Sequence, residues 1–180
     1  MKRPQTKPPG TRIPTRKIIL IFALCVTALL AASHAMASAK GDKNFVNKAS
    51  VGNEFEIESS RLALQQSQND DVKDFAQQMV DDHTQIGNDL TSVIANSNAK
   101  IPTPDNKLDP AHAKLLSKLR SLSGPDFDKL YIKDQIKGHD DAMELFENYS
   151  AHGQNSALRD FANRTLPMIK KHRNEIPEIS

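Results

Sequence analysis

Residues 71–93 read DVKDFAQQMVDDHTQIGNDLTSV, and within them Val72, Phe75, Met79, His83, Ile86, Leu90 and Val93 recur at steps of three and four. That spacing gathers all seven side chains on one face of an α-helix, with Gln, Asn, Asp and Lys on the other, and it fits no strand alternation. One member of the apolar face, His83, is ionisable. Upstream, the polar run Ser67-Gln-Asn-Asp70 ends the preceding segment, and Asn69 or Asp70 is placed to cap the helix by accepting its free backbone N–H groups. Downstream, the pattern dissolves in residues 96–104, NSNAKIPTP, where two prolines remove donors and push the residues before them extended.

Three other segments carry the same pattern. The first has Phe45, Ala49, Gly52, Glu56, Ser59 and Ala63, with Phe55 and Leu62 beside them. The third has Phe127, Tyr131, Ile132, Ile136, His139, Met143, Phe146 and Tyr149. It is opened by Ser123-Gly-Pro125, a cap with a first-turn proline, and closed at Gly153, where a left-handed glycine is expected. The fourth has Leu158, Phe161, Ala162, Thr165, Met168, Ile169, His172 and Ile176, with Pro167 expected to kink it. Four amphipathic helices of about 20 to 28 residues imply an all-α four-helix bundle. A long connection between the second and third carries a short extra helix from Pro110 to about Leu122.

The rest of the chain sets compartment and excludes classes. It has 180 residues, 38% of them hydrophobic, and no tryptophan, which is one domain's worth of length. A mean hydropathy of −0.54 excludes a multi-span membrane protein. Residues 1–39 hold no acid, and a basic stretch ending at Arg16 and Lys17 runs into the apolar segment Ile18–Ala32, followed by Ala35-Met-Ala37. This is the layout of a cleaved signal peptide over residues 1–37, with cutting after Ala37 or two residues later. The apolar run is short of the roughly 20 residues that span a bilayer. The expected mature protein is therefore a single domain of residues 38–180, periplasmic or otherwise exported.

Cleavage also removes six of the 24 basic residues, Lys2, Arg3, Lys7, Arg12, Arg16 and Lys17, and leaves 18 against 22 acids, a charge of −4. Nucleic acid is excluded as a partner, because it requires a dense cationic face. The only cysteine, Cys25, goes with the signal, so no disulfide and no thiolate ligand remains. Nothing in the pattern names a membrane or protein partner or an oligomeric state.

One ionisable residue interrupts each apolar stripe: Glu56, His83, His139 and His172. At 1.5 Å rise per residue they stand roughly 17, 18, 21 and 24 Å along their helices, all near mid-helix, so they can meet in one layer of a bundle. Three imidazoles and a carboxylate are a ligand set for one divalent ion, zinc first, with copper and iron also possible. The alternative is a metal-free polar layer that fixes helix register in a structural or protein-interaction bundle. Asp82 and Asp140 flank two of the histidines as outer acceptors or an extra ligand. A di-iron centre lacks its oxygen ligands, since Val80 and Ile169 stand three residues before His83 and His172. Met79, Met143 and Met168, each four residues from a histidine, read first as core filler and second as copper ligands. His112 and His152 lie off the layer. No catalytic triad, phosphate loop or glycine-rich fingerprint is present, and four protein ligands would close the site, which argues for structure, storage or sensing before catalysis; a metalloenzyme acting on oxygen species or metal ions would require Glu56 or one His to be displaced.

The residues FVNKASVGNEFEIESSRLALQQS (45–67), VKDFAQQMVDDHTQ (72–85), SGPDFDKLYIKDQIKGHDDAMELFE (123–147) and LRDFANRTLPMIKKH (158–172) together resemble the exported bacterial domain-of-unknown-function family 4142. The resemblance covers nearly the whole mature chain. It rests on Met-x-x-Asp-His in the second helix, Gly-x-x-Phe-Asp-x-x-Tyr opening the third, a mid-helix His there, and Leu-Pro before a last His. It implies a ferritin-like helical bundle, often labelled an outer-membrane protein, without an established activity. The motif positions fall on Glu56, Asp82, His83, His139 and His172. Two departures stand out: Gly138 where an Asp usually precedes the third-helix His, and Asn53-Glu54 where small or apolar residues are usual.

Overall fold

In the computed structural model the backbone is described for residues 15–97 and 101–178, and the side chains from Ser38 onward. The chain divides between Ala37 and Ser38 into two units. The expected signal segment, residues 1–37, lies outside the residues whose side chains are described, and the packed core belongs to the second unit, Ser38–Ser180. Among the described residues no helix is long and apolar enough to cross a membrane.

The chain is all-helical, with no strand among the described residues: α1 (Thr15–Gln66), α2 (Asp70–Asn96), α3 (Pro110–Arg120), α4 (Gly124–His152) and α5 (Ser156–Glu175). The helix expected from about residue 44 extends upstream to Thr15, the first described residue, since the Ala- and Leu-rich sequence between them contains no proline to stop it. Asparagine or aspartate caps α2, α3 and α5. The Asn69 side chain accepts from the N–H groups of Asp71 and Val72, Asp109 accepts from His112, and Asn155 accepts from Leu158. Ser123 stands at the start of α4 without a side-chain cap bond, and Gly124 there takes φ +56°, a left-handed conformation that glycine enters without a Cβ penalty.

Gly153 corrects an expectation. It follows α4 with φ −58° and ψ 142°, which is not left-handed. A Cβ there would lie 2.6 Å from the Tyr149 ring and from its carbonyl oxygen, so the position needs a glycine for close approach. Pro167 sits inside α5, and the helix continues on both sides of it.

The apolar core is in two parts. One cluster gathers Phe45, Val46 and Ala49 of α1, Ile86, Leu90 and Ile94 of α2, Phe146 and Tyr149 of α4, and Leu158, Phe161, Ala162 and Ile169 of α5. The other gathers Phe55 and Ala63, then Val72, Phe75, Ala76 and Met79, then Leu116 and Leu119 of α3, and Phe127, Tyr131 and Ile132 of α4. Read in chain order, α1 and α5 run from the first cluster towards the second, while α2 and α4 run the other way. The segment joining α2 to α4 therefore has to return the length of the core, which is why it is long, and α3 within it buries Leu116 and Leu119 in the second cluster. Between the clusters lie buried polar residues: Glu56, His83, Gln135, His139 and His172.

Candidate metal centre

Each histidine of this layer is held by one ring nitrogen and presents the other. His83, between Met79 and Ile86 on α2, donates Nδ1–H to Asn53 Oδ1 of α1 at 3.0 Å. His139 of α4 donates Nδ1–H to the carbonyl of Gln135 in its own helix at 2.8 Å. His172 of α5 donates Nε2–H to Asp82 Oδ2 of α2 at 2.8 Å. These three acceptors fix the tautomers and leave lone pairs on His83 Nε2, His139 Nε2 and His172 Nδ1. Those same three atoms are buried and have no hydrogen-bond partner.

The free nitrogens converge. The ring centroids stand 6.0, 5.4 and 5.7 Å apart, and one ligand atom from each histidine lies within 4.8 Å of the other two. Zinc–nitrogen bonds of about 2.0–2.1 Å place tetrahedral ligand nitrogens about 3.4 Å apart, so inward shifts of under about 1 Å would seat an ion. Burial keeps His83 well below the usual imidazole range, with His139 and His172 adding to it, and pushes His139 down to about 4. Both are neutral at pH 7, the form that ligates. Three buried imidazole lone pairs facing one space, each backed by an oxygen acceptor on its other nitrogen, are the arrangement in which metal-bound histidines are held.

The other expected site residues lie around this group rather than in it. Among the described residues, the converging set consists of the three histidines and does not include Glu56. The Glu56 carboxyl is buried and turned to Gln135, whose Nε2 donates to Oε2 at 2.5 Å. Burial pushes it up to about 8 despite that hydrogen bond. Asp82 is an outer acceptor, but for His172 on α5 rather than for its neighbour His83. Asp140 is turned away from the layer and accepts from Arg173 Nε at 2.7 Å. Met79 is buried in the second apolar cluster, and Met143 and Met168 pack against the first, as core filler does. His112 bonds Asp109 and packs edge-on to Phe55, and His152 is exposed.

The model of a family described as Domain of unknown function (DUF4142) matches residues 27–179. The chain belongs to this family. No curated protein and no solved structure matches it.

Within this DUF4142 chain, Gly138 and Asn53 sit against the residues of the candidate site. Gly138 leaves the room that Glu56 uses, since a Cβ there would lie 2.5 Å from Glu56 Oε1. Gly87 of α2 does the same for Asn53, whose Nδ2 would be 3.0 Å from a Cβ at that position. Neither Asn53 nor Gln135 interrupts an apolar stripe, so the sequence pattern does not single them out as site residues. Their signal is register: Asn53 precedes Glu56 by three residues and Gln135 precedes His139 by four, so each shares a helix face with a residue that does interrupt one.

Proposed function

We propose that this DUF4142 protein is exported and binds one divalent metal ion, zinc first, through His83, His139 and His172, within a ferritin-like four-helix bundle. The observation that carries the metal reading is the set of three buried, unpartnered imidazole nitrogens directed at one space. An orphaned buried acceptor costs about 1–3 kcal/mol, and three in one place are offset at once by a cation. Nitrogen donors suit zinc, with copper and iron following, and Met79, Met143 and Met168 pack with the apolar clusters. The bundle reading is supported by the helix directions, since two pairs of helices joined by one long crossover are the ferritin-like connection.

Export is supported by the acid-free first 39 residues and by Ala35-Met-Ala37 ahead of the division at Ser38. N-terminal sequencing of the protein recovered from outside the cytoplasm should begin at Ser38 or Lys40, and an intact Met1 would end that part of the reading. The metal reading is tested by thermal unfolding. Zinc at 100 times its Kd adds about 2.7 kcal/mol to a fold that binds it, which raises Tm by roughly 5–10 °C for a domain of this size. Chelator should reverse the shift, and His139→Ala should abolish it. If zinc and chelator leave the wild type unmoved, the layer is polar packing that sets helix register.

A further inference from the structure

Resting on the metal reading above, we infer that the bound ion keeps one coordination position for a small exogenous ligand, and that this ligand is a monoanion such as hydroxide, halide or azide. The number of donors points to the open position. A tetrahedral zinc or cobalt ion takes four, and of the histidine, cysteine, aspartate and glutamate side chains among the described residues three converge. Glu56, the buried carboxyl of the same layer, is committed to Gln135 and seated over Gly138.

The balance of charge points to an anion. Three neutral imidazoles leave a divalent ion with its full +2 in a buried site, where His139 and His172 are 1% and 0% exposed. Uncompensated charge is costly there. Asp82 supplies one negative charge through the His172 ring. Arg173 and Asp140 cancel one another at the rim. One further negative charge completes the balance, and the burial of the three rings limits it to a ligand of a few atoms.

The test is to load the full chain with Co(II), whose visible spectrum reports its coordination, and to titrate azide and chloride in a buffer free of both. The expected result is one cobalt per chain and a saturable spectral change with a single ligand site, retained in Glu56→Gln. One cobalt per chain with a spectrum that neither anion moves would overturn the inference. A response gained only in Glu56→Gln would overturn it too and assign Glu56 as the fourth ligand. If the chain takes up no cobalt, the metal reading itself fails, and the two failures are thereby told apart.

Discussion

Glu56 places a carboxyl group where water does not reach, and the consequences can be measured on that residue alone. Its folded value of about 8 lies above the ordinary 4.5, so the folded chain holds a proton that the unfolded chain releases. Stability from this group is present below about 4.5 and is lost as pH rises towards 8. His139 works in the opposite sense, since its folded value of about 4 lies below 6.5 and its contribution is lost as pH falls through that window. Between pH 6.5 and 8 the slope that separates wild type from Glu56→Gln is that of Glu56. Chelator-treated wild type should therefore lose about 2 kcal/mol relative to Glu56→Gln across that interval in urea denaturation, at about 1.4 kcal/mol per unit. Equal slopes in the two proteins would show that the carboxyl is already ionised in the folded state. Gly138 gives an independent check. Alanine there gains up to about 1 kcal/mol of helix propensity but forces the Glu56 carboxyl off Gln135. Gly138→Ala should destabilise the wild type by about 1–2 kcal/mol and stabilise Glu56→Ala, and the sign change in that double-mutant cycle is the readout.

At the scale of helices, α2, α4 and α5 supply the imidazoles, and the acceptors that hold them come from α1 (Asn53), α4 (the Gln135 carbonyl) and α2 (Asp82). Losing Asn53 leaves the His83 Nδ1–H without its acceptor and frees the ring to take the other tautomer. Asn53→Ala should weaken zinc binding about 10- to 100-fold with little change in helix content, as should Asp82→Ala through His172. Competition with a chromophoric chelator measures this, and unchanged affinity in both variants would remove these residues from the site. The three histidines were legible in the sequence because each interrupts an apolar stripe, which fixes the face; height was less exact, since His83 and His139 stand near mid-helix as expected while His172 falls in the last turn of α5. What lay beyond that was rotation. Glu56 shares the layer by the same criteria, yet which way its carboxyl turns depends on Gln135, a residue that reads in the sequence as ordinary polar spacing. The same limit explains Gly153, where the expected left-handed turn was read from residue type, while the actual requirement is the closeness of the Tyr149 ring.

Across the whole molecule, the core among the described residues consists of two apolar clusters with a polar layer between them; α1, α2 and α4 pass through all three, and α5 runs from the first cluster to the layer, with Ile176 just beyond its end packing on the second. Helix content, helix order and the position of the long connection followed from periodicity and from prolines, because these depend on local sequence. The partners within the layer did not, because they are fixed by packing between residues as far apart as Asn53 and His83 or Glu56 and Gln135. A core divided in this way is held at its middle by polar contacts, and a divalent ion bonded to α2, α4 and α5 would tie three helices at that level. The most direct test is elemental analysis by mass spectrometry of the protein purified without chelator, beside His83→Ala, His139→Ala and His172→Ala. The expected result is about one divalent metal per wild-type chain, zinc foremost, and loss of it in each of the three variants. No metal in the wild type, and none taken up when zinc, copper, iron and manganese are offered, would contradict the account.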